Sequence, residues 1–393
     1  MARNAFWKHR RLGPQAALDR RMRLLVEASG RMEDWQCSFA VSAVRPRLPL
    51  PFSTSAAFCA RGHEVSAIHF SDDAFSALDA GHFRKLYGPR ELKKATLEND
   101  LVLLWAATGI KAIVSNMARS SAHRKVMLAS YVWGVPQNVG WRGRRLAVTT
   151  RIAARFARAV ALMTDEQARE AERSLAERVP VLRFTWGIDS EFYRCAGTDT
   201  NVAVDVLKEL DDVLREPYVI LAGDQLRLDD DALELVEKHD LRLVRVPQER
   251  HTADWYRRQI RERKLEGRLF IFERVGYPAL RYLLQHAAAY AGLVDSSWQP
   301  AGWTVLCESL ASGTPAVVYE GITPREIRRL GAGNYVSVVP HGDVAAMAHA
   351  CRRLGNSGRN QLRTNAADFS ATALDLQRTA SSFVESVERI SGA

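Results

Sequence analysis

Long apolar segments are missing from this chain of 393 residues. A helix that spans a bilayer needs about 20 consecutive apolar residues, and the stretch "AAAYAGLV" at positions 287–294 is far shorter. The opening residues, "MARNAFWKHRRLGPQ", are basic but lack the apolar core of a secretory signal. These absences lead us to expect a cytoplasmic protein.

Paired cysteines and metal-binding clusters are missing as well. None of the cysteines belongs to a C-x-x-C pair or accompanies histidines at metal-ligand spacing: Cys37, Cys59, Cys195, Cys307 and Cys351. Scattered cysteines of this kind are typical of small buried side chains in a reducing compartment. We therefore expect no structural zinc and no metal cofactor.

Acidic residues are too few to balance the basic ones, so the formal net charge is +10 and the pI is ≈ 9.5. Excess positive charge favours nucleic acid, an anionic membrane surface or an anionic substrate. The sequence carries no recognisable nucleic-acid-binding module, and its arginines are spread along the whole chain. A basic nucleic-acid-binding protein therefore ranks below the functions argued next, and we predict no nucleic-acid partner.

The first 36 residues read as a basic N-terminal extension. Within it, "PQAALDRRMRLLVEASG" repeats apolar positions at helical spacing among arginines, which predicts one amphipathic helix. A basic amphipathic helix either packs on its own domain or rests on an anionic membrane surface. Peripheral contact with the inner membrane through this helix is therefore an open alternative.

From residue 37 onward, strand patterns such as "HEVSAIHF" and "NDLVLLWAATG" alternate with helical patterns, and the plan restarts at "EPYVILAGD" after the connector "CAGTDTN". Such alternation predicts parallel sheets covered by helices. We predict an α/β protein with two Rossmann-like, doubly wound domains at residues 37–195 and 196–365 and a ligand cleft between them. Two C-terminal helices follow the strand "YVSVV"; by their resemblance to the family identified below, residues 366–393 are expected to pack back on the first domain.

A charged Glu308 stands inside the apolar stretch "CESLASGTPAVVYEG". The pattern predicts a helix from Trp303 to Ser312, with Gly313 just beyond its end and a proline that cannot continue it. Free N–H groups at its start, at Gly302 to Thr304, suit an anion such as a pyrophosphate. Glu308 is then either a solvated helix carboxylate or a hydrogen-bond acceptor in the cleft.

The segment Asp295–Ile327, "DSSWQPAGWTVLCESLASGTPAVVYEGITPREI", resembles the donor-binding signature of glycosyltransferase family 4. "CARGHEVSAIHF" and "VGYPALRYLLQHAAAYAGLV" are similar to other segments of that family, in the same order. "LRFTWGIDSEFY" resembles the family's Asn-Gly-Val-Asp crossover, with Trp186 in the Asn position. The resemblance spans nearly the whole chain from Cys37 and implies the two-domain GT-B fold.

The resemblance also implies how a nucleotide-diphosphate sugar would bind. Glu308 matches the Glu that binds the nucleotide ribose, and Glu326 matches the Glu of the Pro-Glu-Ile element, although Arg325 is inserted before it. Backbone N–H groups of Gly302, Trp303 and Thr304 would hold the diphosphate. Backbone atoms near Val275 and Gly276 would recognise the base, and no metal is implied.

The sequence departs from the family pattern at charged positions. Gln299 takes the place of the family's first Glu and can still hydrogen-bond to a sugar hydroxyl. Asp224 and Asp229 stand where the family has an Arg and a Lys that neutralise the leaving diphosphate, so only Arg227 is at hand as a replacement. In the loop "RPRLPLP", Arg45 and Arg47 either contact an anionic acceptor or belong to the surface.

The resemblance to glycosyltransferase family 4 implies a retaining, metal-independent glycosyltransferase that moves a sugar from a nucleotide-diphosphate donor to a glycan, lipid-linked or small-molecule acceptor. Gln299 and Arg227 are the candidate catalytic residues. No protein nucleophile is evident in the sequence, which fits a mechanism without a covalent intermediate. The alternative is a nucleotide-sugar-binding pseudo-glycosyltransferase or partner subunit, in which the lost charges abolish transfer. Neither the sugar nor the acceptor follows from the sequence.

Overall fold

Two parallel β-sheets organise the chain. The computed structural model describes residues 22–28, 54, 57–58, 60–69, 98–105, 126–130, 133, 141–175, 178–194, 210, 212–356 and 359–391. Within these residues each sheet has six strands, and each sheet is built from a separate half of the chain. The predicted α/β architecture of two doubly wound domains is confirmed.

The first sheet has the strand order β2-β1-β3-β4-β5-β6, and all neighbouring strands are parallel. Its strands are β1 (Arg23–Ala28), β2 (Glu64–His69), β3 (Leu101–Trp105), β4 (Val126–Ser130), β5 (Ala159–Leu162) and β6 (Val181–Arg183). Three described helices accompany it: α1 (Trp141–Ala154), α2 (Asp165–Leu175) and α3 (Ser190–Arg194). Strand β5 is buried along its whole length, as expected inside a parallel sheet.

The helix predicted for the N-terminal extension is wrong at residues 23–28, because these residues form β1 between β2 and β3. Met22 and Leu24 are buried there. A short apolar run such as "MRLLV" fits a buried strand as well as a helix, and periodicity alone does not separate the two. The first domain therefore begins before residue 37. The membrane contact predicted for the N-terminal extension relied on a helix, and residues 23–28 do not form one.

The second sheet has the order β12-β11-β10-β7-β8-β9, again with parallel neighbours. Its strands are β7 (Val219–Ala222), β8 (Leu243–Val246), β9 (Leu269–Ile271), β10 (Ala289–Gly292), β11 (Ala316–Tyr319) and β12 (Val336–Val339). Strand order reverses between β7 and β10, and such a switch point opens a crevice at the carboxyl ends of the strands.

Eight described helices belong to the second half of the chain, together with a 3₁₀ turn at Ala332–Asn334. They are α4 (Asp229–Glu237), α5 (Arg250–Arg263), α6 (Tyr277–His286), α7 (Trp303–Ala311), α8 (Ile322–Arg329), α9 (Val344–Asn356), α10 (Arg359–Ala373) and α11 (Leu376–Ser391). Three helices thus follow β12 where the sequence predicted two. Asp375 lies between α10 and α11. Its carboxylate accepts a hydrogen bond from Arg378 N at 2.9 Å and caps the N-terminus of α11.

Helix α11 lies against the first domain. Arg61 donates two hydrogen bonds to Glu388, at 2.9 and 2.8 Å. His63 accepts one from Met22 N at Nδ1, so its Nε2 donates to Glu388 at 2.8 Å. The predicted boundary at residue 366 falls inside α10, and the chain crosses back only where Ile188 pairs with Asp375. The predicted connector at residues 196–202 lies outside the described residues.

Candidate functional site

The loops that follow β7 and β10 meet at the switch point. Leu228 N donates to Leu293 O at 3.0 Å, and Asp295 N donates to Leu226 O at 3.0 Å. Leu226 has φ 53°, a left-handed conformation that non-glycine residues adopt only in special turns. The two loops therefore form one paired ledge at the carboxyl edge of the second sheet.

The N-terminus of α7 opens into a cleft beside this ledge. Gly302 precedes the helix with φ 75° and ψ −2°, and a Cβ placed there would lie 3.2 Å from Val294 Cγ2. The first N–H groups of a helix have no acceptor within it, and the helix dipole favours an anion at this end. Trp303, Thr304 and Gly302 all line the cleft, whose volume is ≈ 260 Å³.

Arg227 supplies a positive charge at the same place. Its Nε donates to Ala222 O at 2.9 Å and its Nη2 to the same oxygen at 2.5 Å. Nη1 is buried without a hydrogen-bond partner among the described residues, and it lies 3.2 Å from where a Cβ of residue 302 would stand. Burial lowers the pKa of the guanidinium, which nevertheless stays cationic because arginine is not deprotonated in proteins.

The two aspartates that replace the family's cations are tied into a buried network around Arg245. Arg245 is fully buried and bridges Asp224 at 2.9 Å and Asp229 at 3.3 Å. Asp224 also accepts from Gln248 N at 2.6 Å, and Tyr256 donates to Asp229 at 2.6 Å. Burial opposes the charge of Arg245, but Tyr256 and both aspartates offset it and raise its pKa. These carboxylates hold β7, β8 and α5 together.

Gln299 lies in the cleft as the sequence suggested. It is 5% exposed and lines the wall next to Gly302. Within the described part of the chain its side-chain amide has no hydrogen-bond partner, and its backbone oxygen accepts from Ala301 N at 2.7 Å. A buried amide facing a cleft is suited to a polar ligand atom, because an unsatisfied polar group in the interior costs free energy.

The first domain closes the cleft with Trp186 and Met163, and neither was predicted to contact a ligand. Trp303 Nε1 donates to Trp186 O at 2.8 Å, which links the start of α7 to the crossover between domains. The indole N–H of Trp186 is buried without a partner among the described residues. Its place in the crossover motif was the one signal in the sequence that pointed to it.

Glu308 is buried in the second turn of α7 and is 0% exposed. The interpretation as a solvated carboxylate is therefore wrong, since every residue of α7 except Thr304 is buried. Its charge acts on Tyr290: burial raises the pKa of that phenol, Arg227 lowers it, and Glu308 raises it. Glu308 is not among the residues that line the cleft, so a ribose contact is left as a prediction.

Glu326 lies in a different hollow, between α2 and α8. Its Oε2 accepts from Asp165 N at 2.8 Å, and its Oε1 accepts from Arg329 Nη2 at 2.5 Å. The next residue towards the N-terminus, Arg325, pairs with Glu166 of α2 at 2.8 Å. Glu326 thus caps a helix of the first domain, and the structure does not bring it to the cleft at Gly302.

The remaining predicted residues fall elsewhere. Val275 and Gly276 precede α6, at the carboxyl edge of β9, and are not among the residues that line the cleft. Arg274, next to them, donates to Gln248 O at 2.9 Å, which ties this turn to the loop after β8. Arg45 and Arg47 lie outside the described residues.

In the parts of the chain that the structure describes, no group of three or more His, Cys, Asp or Glu side chains is placed to hold a metal ion. Among these same residues, no helix is long and apolar enough to cross a membrane.

Solved structures with the same architecture are plentiful, although no family profile matches the sequence and no curated protein is similar to it at a significant level. Alr3699/HepE from Anabaena, in complex with UDP, matches with a TM-score of 0.67 at 15% identity, over 94% of this chain and 100% of that chain. Sucrose-phosphate synthase from Thermosynechococcus elongatus matches with 0.68 at 13% identity, over 94% and 99%.

A third similar structure, α,α-trehalose-6-phosphate synthase from Burkholderia multivorans, has a TM-score of 0.65 at 12% identity, over 94% of this chain and 98% of that chain. Identities this low establish the fold and leave activity to be argued from the site. The two six-stranded parallel sheets agree with these neighbours. The chain has the two-domain GT-B fold of glycosyltransferases.

Proposed function

We propose that the protein transfers a sugar from a nucleotide-diphosphate donor to an acceptor, with retention at the anomeric carbon and without a metal. The observation that carries the proposal is the α7 N-terminus, which opens at the switch point beside Arg227 and Gln299. Helix N–H groups and a guanidinium together suit a diphosphate. The neighbour from Anabaena was crystallised with UDP and with UDP-glucose, which supports testing uridine donors first.

In the proposed complex, the N–H groups of Gly302, Trp303 and Thr304 hold the diphosphate and Gln299 contacts the sugar. Glu308 accepts hydrogen bonds from the ribose, which requires the wall between it and the cleft to open. The base lies towards Val275 and Gly276, one strand beyond β8. Arg45 and Arg47 are assigned to an anionic acceptor. No role in donor binding is proposed for Glu326, whose carboxylate caps α2.

The chemistry needs stabilisation of a leaving phosphate rather than a protein nucleophile. The bond between the anomeric carbon and the donor phosphate oxygen breaks, and the acceptor oxygen bonds to the same face of the sugar. The acceptor proton passes to the leaving phosphate. Negative charge grows on the diphosphate as its bond to the anomeric carbon breaks and before the proton arrives. Arg227 and the start of α7 offset this charge, an effect worth several kcal/mol in enzymes.

Donor turnover tests the proposal directly. The protein is incubated with UDP-, GDP-, ADP-, dTDP- and CDP-linked sugars in EDTA, and release of the nucleoside diphosphate is measured. We expect one donor to be consumed, a product with the donor's anomeric configuration by NMR, and a loss of about 100-fold or more in Arg227→Gln. Activity restored only by a divalent cation would contradict the metal-independent mechanism, and an inverted product would contradict retention.

A second candidate function is a nucleotide-sugar-binding protein without transfer activity. The supporting observation is that Asp224 and Asp229 are both paired with Arg245, so Arg227 is the one cation among the described residues that line the cleft. Asp224→Arg is a poor rescue, because it would place a cation against buried Arg245. Gln225 is exposed and lines the cleft, so Gln225→Arg adds the charge without breaking the network.

Nucleotide binding without turnover in the wild type, combined with turnover in Gln225→Arg, would favour this second function. The matched control is Gln248→Arg, which adds the same charge in the loop after β8 and outside the cleft lining.

For either function we propose a cytoplasmic protein. Cys307 and Cys351 are buried thiols, as expected in a reducing compartment.

A further inference from the structure

Exposed apolar side chains are concentrated on one helix of the first domain. In the described part of the chain, the large hydrophobic residues that are exposed all lie in or just after α1: Trp141 at 67%, Val148 at 48%, Ile152 at 38% and Phe156 at 43%. Monomeric proteins expose single apolar residues routinely, but a contiguous group marks an interaction surface. Neither the cleft nor the proposed chemistry uses this group.

Their spacing places them on a single stripe. Positions 141, 148 and 152 are separated by seven and four residues, and residues at such intervals share one face of a helix. Phe156 follows in the turn just after the helix ends. The opposite face of α1 carries the buried residues Ala147, Thr150, Ala153 and Ala154, of which the last two belong to the core of the first domain. The helix is therefore anchored on one side and presents its apolar stripe outward.

The charged residues of the segment that carries the stripe all have one sign. Residues 141–156, "WRGRRLAVTTRIAARF", include five arginines and no aspartate or glutamate. Arg144 and Arg155 are exposed, and Arg145 lies over the Trp141 ring at 5.4 Å. Arg151 pairs with Glu170 of α2. The surface thus combines apolar side chains with a cationic border and complements an anionic, partly apolar partner.

We propose that α1 docks on a bilayer surface that contains anionic phospholipids. Fourteen residues are too few to span a membrane, and a basic amphipathic helix instead lies in the headgroup region with its apolar side chains inserted. Trp141 is suited to that depth because its ring is amphipathic. This assigns the membrane contact to α1 and not to the N-terminal segment, where β1 occupies residues 23–28.

Co-sedimentation of the full chain with vesicles tests the proposal. We expect binding to phosphatidylcholine vesicles with 30 mol% phosphatidylglycerol, and little to phosphatidylcholine alone. Each arginine near such a surface contributes on the order of a fivefold change in partitioning. The double variant Arg144→Glu/Arg145→Glu should therefore lower vesicle binding at least 25-fold. A second double variant, Trp141→Ser/Phe156→Ser, should lower the vesicle binding that remains in high salt.

The matched control is Arg258→Glu with Arg261→Glu, two exposed arginines of α5 that change net charge equally. It should leave vesicle binding within twofold of wild type. Equal loss in both double variants, or no vesicle binding by the wild type, would overturn the proposal. So would a dimer that Trp141→Ser dissociates, or retention of an RNA oligonucleotide in place of vesicles, since these outcomes assign the stripe to another partner.

Discussion

At the scale of single residues, Gly302 determines the shape of the cleft. Its φ of 75° is left-handed, and a Cβ would press on Arg227 Nη1 and Val294 Cγ2, each 3.2 Å away. We predict that Gly302→Ala lowers the affinity for a nucleoside diphosphate about tenfold, roughly 1.4 kcal/mol, as measured by calorimetric titration. The loss has two causes, backbone strain and displacement of Arg227.

Gly267→Ala separates these causes. Gly267 has nearly the same φ, 76°, but a Cβ there would meet nothing within 4 Å. Both variants should lose about 1 kcal/mol of stability from the left-handed backbone, and Gly302→Ala alone should lose affinity. A Gly267→Ala protein that also binds nucleotide poorly would show that general destabilisation, and not the cleft, explains the effect.

Sequence alone located part of the cleft at this scale. Gly302, Thr304, Arg227 and Gln299 line it as the motif suggested. Glu326 does not, because an extended contact with the first domain, invisible to local sequence, engages its carboxylate. The same holds for the aspartates at the expected cation positions: their partner Arg245 lies on another strand, and only the fold brings the three together.

At the scale of elements, Glu388 contributes a charged contact to the docking of α11 on the first domain. Partial burial raises the pKa of Glu388, but hydrogen bonds from Arg61 and His63 outweigh this and lower it below its ordinary value of 4.5. A lowered pKa means that the charged form is stabilised by folding. Its contribution is therefore full above about pH 4.5 and is lost as the pH falls through the folded-state value.

We predict that Glu388→Gln lowers the unfolding midpoint at pH 7 and that this difference shrinks as the pH drops below 4.5. Thermal unfolding at intervals between pH 3 and 7 measures it for both proteins. Glu385→Gln, which alters a more exposed carboxylate on the same helix, is the control and should have a smaller effect. A constant difference across the pH range would contradict the assigned pairing.

Strand and helix positions in the second half followed from the sequence, because their apolar runs have lengths typical of strands and their ends carry glycine or proline. Strand β1 did not follow. Its run beside Met22 suits either type of element, and the neighbours β2 and β3 that decide the outcome are far away in the sequence. Tertiary pairing overrode local periodicity there.

At the scale of the whole molecule, the two domains are joined where the crossover meets the start of α11. Leu376 N donates to Ile188 O at 2.9 Å. A Cβ at Gly187 would lie 2.2 Å from Thr379 Oγ1 and 2.8 Å from Asp375 O. Only a residue without a side chain fits between these segments.

We predict that Gly187→Ala destabilises the protein by about 2 kcal/mol, as for other overpacked sites, and loosens the contact of α11 with the first domain. Urea unfolding gives the free energy, and limited proteolysis near residue 375 reports the loosening. Gly333→Ala is the control, because a Cβ there meets nothing within 4 Å. Equal stability of the two variants would contradict the close approach at Gly187.

If the start of α7 and Glu308 bind a nucleoside diphosphate, the bound nucleotide stabilises the fold, and the unfolding midpoint measured with UDP, GDP, ADP, dTDP or CDP in EDTA reports this directly. Ligand at about 100 times its dissociation constant should stabilise the fold by about 2.7 kcal/mol. We predict that one nucleotide raises the midpoint in the wild type and in Glu320→Gln, an exposed control carboxylate, and not in Glu308→Gln. No shift with any nucleotide, or an undiminished shift in Glu308→Gln, would contradict the account.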